Sequence, residues 1–148
     1  IKDIRMYESN NPNVDGNSIP GEIGKLYNLN KEIVVPICQR IARKLNEYNF
    51  LSGDFDHIYI NLTPYIKDNI IISNRKPEKW LQYIDFGLNP SEINILNIED
   101  QSKKLKYIIF KSLDCLYSEN FVNLELIKKV KNEIEKYDTE LEILYPPN

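Results

Sequence analysis

The chain is poor in the residues from which most metal and nucleophile sites are built. His57 is its one histidine, and Cys38 and Cys115 are its two cysteines. A zinc centre draws on a clustered set of imidazole, thiolate and carboxylate ligands, so no metal site is expected. Two isolated cysteines make no disulfide framework, and each lies in a stretch of helical apolar spacing where a reduced thiol packs as a small hydrophobe. Glycine is scarce too, with five in 148 residues. Gly16, Gly21 and Gly24 do not fit the dinucleotide-binding spacing, and neither a Gly-x-x-x-x-Gly-Lys phosphate loop nor a Gly-x-Ser-x-Gly elbow is present. No cofactor and no catalytic residue set is implied.

Long apolar runs and an excess of positive charge are also missing. No stretch approaches the ~20 apolar residues that span a bilayer, and Ile1 to Glu8 is charged and polar rather than signal-like. The expectation is a cytoplasmic protein without membrane contact. With 19 Lys and Arg against 22 Asp and Glu, the net charge of −3 supplies no general attraction to phosphate backbones, so nucleic acid is an unlikely partner on electrostatic grounds.

At this length, 42% hydrophobic residues suffice for one core, which predicts a single domain over residues 1–148. Ile4 and Met6 alternate with Arg5 and Tyr7 as a short opening strand. Residues 9–30 collect asparagine, proline and glycine, the signature of a long loop that is either mobile or a binding segment. Ile37, Ile41, Leu45 and Tyr48 then mark an amphipathic helix. Its start is either at Pro36 or earlier at an Asn30 cap, with Pro36 inside.

His57 to Leu62 and Ile70 to Ile72 read as strands, joined as neighbours by an antiparallel hairpin. Trp80 to Phe86 reads as a third strand with large apolar groups on both faces, hence buried on both sides or flanked by a partner. From an Asn97 cap, Leu105, Ile108, Ile109, Ser112, Leu113 and Leu116 mark the strongest helix. Leu124, Ile127, Val130, Ile134 and Tyr137 mark a second, antiparallel to it. Leu141, Ile143 and Tyr145 suggest a last strand. The expected class is α+β: a small, mainly antiparallel sheet of about three to five strands with two or three helices packed on one face.

Asp54, Asp56 and His57 form the one carboxylate and imidazole cluster, able to act as a base with an orienting acid in a small enzyme of unfamiliar type. A turn whose carboxylates accept backbone N–H groups explains the same residues. Arg75, Lys76 and Lys79 could hold phosphate in a nucleic-acid adaptor, and the acidic end from Glu133 to Glu142 could draw a basic partner. Both also read as solvated charge. Ten tyrosines are many, and tyrosine combines contact area with a hydrogen-bonding tip. Tyr59, Tyr65 and Tyr83, with the carboxylates Asp54, Asp56 and Asp85, cluster around the predicted sheet and are the candidate partner-binding residues.

The stretch from Phe55 to Asn94, FDHIYINLTPYIKDNIIISNRKPEKWLQYIDFGLNPSEIN, resembles immunity proteins of bacterial polymorphic toxin systems. The resemblance implies a cytoplasmic protein that binds a cognate protein toxin domain and neutralises it by direct contact. It carries no catalytic motif and transfers no site residue by residue. An inhibitor of this kind needs a stable surface with aromatic anchors and requires no triad, metal or cofactor.

Overall fold

Alternation along three strands builds the centre of the molecule. The computed structural model describes residues 1–10, 20–50, 53–75 and 78–144, with side chains described as far as residue 136. In chain order the elements are β1 (Asp3–Glu8), β2 (Gly21–Glu22), α1 (Lys31–Glu47), β3 (His57–Thr63), β4 (Ile70–Ile72), β5 (Leu81–Gly87), α2 (Ser91–Asn94), α3 (Ile98–Leu116) and α4 (Phe121–Leu144). The strands form one sheet in the order β2-β1-β3-β5-β4. This is an α+β fold, as the sequence predicts.

The strand sense differs from the expected mainly antiparallel sheet. β1, β3 and β5 are parallel neighbours, with Met6 opposite Ile60 and Ile60 opposite Ile84; only the edges β2 and β4 run antiparallel. The physical reason is the crossover. α1 lies between β1 and β3 in sequence, and a helix carried back across a sheet delivers the next strand parallel to the first. The predicted hairpin is corrected as well, because β4 pairs with β5 and not with β3. All of β5 is buried, whereas Ile71 and Ile72 of β4 are exposed, so β5 takes the interior position and β4 the edge. Gly87 closes β5 where the chain packs against the Ile66–Asn69 turn; a Cβ there would sit 2.7 Å from the Ile66 carbonyl oxygen.

The helices cover one face. Val34, Cys38, Ile41 and Leu45 of α1, Leu105, Ile108, Ile109 and Leu113 of α3, and Ile127, Val130 and Ile134 of α4 join a single apolar cluster with Ile4, Met6, Ile58, Ile60, Leu62, Ile84 and Phe86. Each of these large side chains contributes about 1.5–3 kcal/mol by leaving water. Asn30 caps α1, its side chain accepting from the Glu32 amide at 2.9 Å, so the earlier of the two helix starts is the real one. Pro36 lies within the helix and leaves the Glu32 carbonyl without its helical donor. Asn97 caps α3 through the Asp100 amide at 2.8 Å.

Two further expectations change. Of the predicted 9–30 loop, residues 11–19 lie outside the described residues, while the rest is built into the fold. β2 pairs with β1, Tyr27 and Leu29 are buried, and the buried Glu8 carboxylate accepts from the amides of Lys25 (2.9 Å) and Leu26. The Tyr27 hydroxyl donates to the Leu88 carbonyl. The expected last strand from Leu141 is instead the end of α4, which runs to Leu144; Tyr145 lies outside the described residues. Extending an existing helix adds a hydrogen bond for each residue ordered, whereas a new strand would need a free sheet edge.

Candidate functional site

The same alternation that fills the core sends the intervening side chains to the other face of the sheet. Arg5 and Tyr7 of β1, His57, Tyr59, Asn61 and Thr63 of β3, and Leu81, Tyr83 and Asp85 of β5 share it, by the register Arg5–Tyr59–Tyr83 and Tyr7–Asn61–Asp85. Leu81 and Tyr83 are buried yet stand apart from the apolar cluster under the helices. The face therefore has its own small interior, with a half-exposed aromatic rim.

The rim is a continuous row. The Trp80 and His57 rings are 4.7 Å apart, His57 and Tyr59 are 6.3 Å apart, Tyr59 and Tyr83 are 5.7 Å apart, and Tyr7 and Tyr59 are 5.1 Å apart. The contacts are tilted or edge-to-face, the arrangement favoured by the aromatic quadrupole. Arg5 lies 5.7 Å from the centre of the Tyr59 ring. Burial raises the hydroxyl pKa of both Tyr59 and Tyr83, with Arg75 opposing the rise at Tyr83. Both phenols stay neutral donors.

Beneath the rim lies a polar network. Arg75 and Asp85 form a buried ion pair at 2.9 Å, and the Arg75 guanidinium stacks 4.7 Å from the Tyr83 ring centre. Asn61 donates 3.0 Å bonds to Asp85 and to the Ser9 hydroxyl. The Asn61 Oδ1 atom is buried without a hydrogen-bond partner among the described residues. A buried, paired arginine is held by hydrogen-bond geometry as well as charge, so this layer fixes the tyrosines above it.

The six sequence candidates occupy different parts of this surface. Tyr59, Tyr83 and Asp85 lie together on the face, with Tyr83 and Asp85 buried as its support. Asp56 precedes β3 at the Trp80 end, where its amide and that of His57 both donate to the Trp80 carbonyl. Asp54 is exposed in the turn before it, and Tyr65, 56% exposed, lies past the other end of β3. A seven-residue strand spans about 20 Å, so Asp54 and Tyr65 do not share one small contact point.

Asp56 and His57 do meet, at 2.6 Å between Oδ1 and Nδ1, and Asp56 also pairs with Lys2 at 3.4 Å. The His57 hydrogen bond, helped by Lys2 and opposed by partial burial, holds the Asp56 carboxyl below its usual range. Asp54 adds no contact to this pair, and the described residues contain no cluster of three or more His, Cys, Asp or Glu. The basic trio does not gather either: Arg75 is buried on Asp85, Lys79 is exposed in the turn before β5, and Lys76 lies outside the described residues.

Sequence reasoning missed Arg5, Tyr7 and Trp80 as members of the face. The signal for the first two was present, since Ile4 and Met6 were already the core half of the same alternation. What was absent was the β1–β3 register that sets them beside Tyr59. Among the described residues no helix is long and apolar enough to cross a membrane. No protein-family model, curated protein or solved structure matches the chain.

Proposed function

We propose that this chain is a binding protein that neutralises a bacterial toxin domain by direct contact, and that it engages the toxin with the aromatic face of its sheet, opposite the helices α1, α3 and α4. The observation that carries this reading is the row Trp80–His57–Tyr59–Tyr7, backed by Tyr83 and Arg75. Tryptophan, tyrosine and arginine dominate binding energy at protein interfaces because each brings large area with a polar tip. Here the rings are already packed against one another, so little side-chain entropy is left to lose on association. The toxin as partner, and the cytoplasm as the place of action, come from the resemblance of residues 55–94 to immunity proteins.

The test is capture of partners from the source organism with the purified chain, followed by calorimetric titration of the captured protein and an assay of its toxicity. A partner held at nanomolar affinity and silenced on binding supports inhibition. Tyr59→Ala and Trp80→Ala are each expected to weaken binding by about 2 kcal/mol or more, roughly thirtyfold, with Tyr65→Ala as the probe of the distal end. Affinities within about 1 kcal/mol of wild type for Tyr59→Ala and Trp80→Ala together would remove the aromatic face as the site.

A further inference from the structure

The two edges of the sheet are guarded very differently. β2 ends one side with Gly21 and Glu22 alone, and Glu22 is tied to Lys31 at 2.8 Å. A strand so short, with a charge on it, offers little to another backbone. β4 ends the other side with Ile70, Ile71 and Ile72, none of them buried; Ile71 is 46% and Ile72 41% exposed. From Asn69 to Asn74 that edge has no charged residue, no proline and no glycine. The usual protections of an edge strand are missing there.

The ladder to β5 shows which peptide groups of β4 face outward. The Gly87 amide donates to the Asn69 carbonyl at 2.8 Å, and the Ser73 amide to the Tyr83 carbonyl at 3.1 Å. Hydrogen-bonded positions alternate along an antiparallel pair, so Asn69, Ile71 and Ser73 turn their peptide groups toward β5 while Ile70 and Ile72 turn theirs away from the sheet. On that outer side Ile70 and Ile72 make no backbone hydrogen bond to a described residue. Their groups are free to pair with another strand.

The pattern of the edge selects the strand. Residues 69–73 read Asn-Ile-Ile-Ile-Ser, polar at both ends and symmetrical about Ile71. A two-fold axis at Ile71 sets Ile70 opposite Ile72 of a second copy as a hydrogen-bonded pair, and its mate likewise, so that all the outward groups of both residues are used. Ile71 then meets the same residue of the copy in the close, non-hydrogen-bonded position, and Asn69 meets Ser73. Apolar falls on apolar and polar on polar. Isologous contact requires this self-match, whereas a foreign strand has no need of it. A net charge of −3 leaves little repulsion between copies. We infer that β4 pairs with β4 of a second copy of this chain, antiparallel about Ile71, joining the two five-stranded sheets into one. The contact is small, so a dissociation constant of roughly 100 µM is expected. The axis is normal to the sheet, and both aromatic faces therefore open on the same side. The inference does not rest on the function proposed for them.

The test uses the whole chain. Sedimentation equilibrium from about 10 µM to about 1 mM should show a monomer and dimer in exchange. Solvent exchange of the Ile70 and Ile72 amides should slow as concentration rises, while the Ile71 amide, turned toward β5, is protected throughout. In a mixture of ¹³C-labelled and unlabelled chain, a nuclear Overhauser contact should join the Ile71 Hα atoms of two copies. Ile71→Lys, at an exposed position, sets like charges on the axis and should weaken dimerisation at least tenfold. Ile72→Pro, which removes an outward donor and no bond to β5, should do the same, each variant keeping the amide spectrum of the folded monomer. Phe121→Ser, at an exposed ring elsewhere, should leave dimerisation unchanged. A chain that stays monomeric at about 1 mM, a dimer that survives Ile71→Lys, or one lost with Phe121→Ser would overturn the inference. So would Ile70 and Ile72 amides already protected in the dilute monomer, or protected only when a different protein is added, which would assign the edge to another strand.

Discussion

On the helix side of the sheet, Ile4, Met6, Ile58, Ile60, Leu62, Ile84 and Phe86 meet helix side chains of the same aliphatic kind. On the other side, Arg5, Tyr7, His57, Tyr59, Asn61, Tyr83 and Asp85 meet one another through rings, an ion pair and directed hydrogen bonds. The first face is held by area, which is non-directional and tolerant of volume-conserving exchange. The second is held by geometry, so loss of one member strands its partners. The same strands thus carry one aliphatic face and one built of rings, an ion pair and directed hydrogen bonds.

The sharpest way to break that comparison is to remove one half of the buried ion pair. Arg75→Met should destabilise the fold by about 3–5 kcal/mol, because Asp85 would remain charged and buried. The double variant Arg75→Met with Asp85→Leu should recover a large part of that loss in a denaturant titration. A single-variant cost below about 1 kcal/mol would mean that the polar network does not hold its face together.

On the opposite side, Ile60→Ala should cost about 2–5 kcal/mol as transfer free energy plus a cavity. Unlike the Arg75 loss, it should not be relieved by any change at Asp85, since the two side chains point to opposite faces of the sheet and share no partner. Coupling between the two in a double-mutant cycle would show that the faces are not independent.

The smallest expected effect is on acid stability. Three carboxyls are held below their usual range: Asp56 through His57 and then Lys2, Glu133 through the Tyr48 hydroxyl and then Lys44, and Glu22 through Lys31. A carboxyl whose folded pKa is depressed stabilises above its unfolded value, and the stabilisation is lost as pH falls through the folded value. Unfolding midpoints should therefore decline as pH drops below the ordinary carboxylate range. Tyr48→Phe should flatten the Glu133 share and leave the Asp56 share, as read from midpoints at two pH values below neutrality.

Much of the fold was legible locally. Ile37, Ile41 and Leu45 define the buried stripe of α1, with Ile37 at its margin, and the Asn97 cap and apolar spacing define α3. Large apolar groups on both faces marked β5 as an interior strand. What pattern alone could not supply was pairing. Ile58 and Ile60 alternate identically whether their neighbour is β4 or β5, parallel or antiparallel, because the period of side chains is the same in every sheet. Tyr59, Tyr83 and Asp85 could be placed on one sheet because they sit on recognisable strands, whereas Arg75, in a connection, read equally as a phosphate holder or as solvated charge.

The sequence by itself determined which residues point inward and which outward along each strand and helix, since that follows from the 2.0 and 3.6 residue periods of the local backbone. It also marked the start of α3, through the short polar side chain of Asn97 that accepts from a first-turn amide, and offered the Asn30 cap as one of two starts for α1. Only the tertiary structure decided that outward residues from β1, β3 and β5 would stand side by side as one aromatic face. It also decided that Arg75 would be buried on Asp85. Those outcomes depend on strand order and register, which are settled by which assembly buries the most apolar surface with its peptide groups paired, a property of the whole chain and not of any segment.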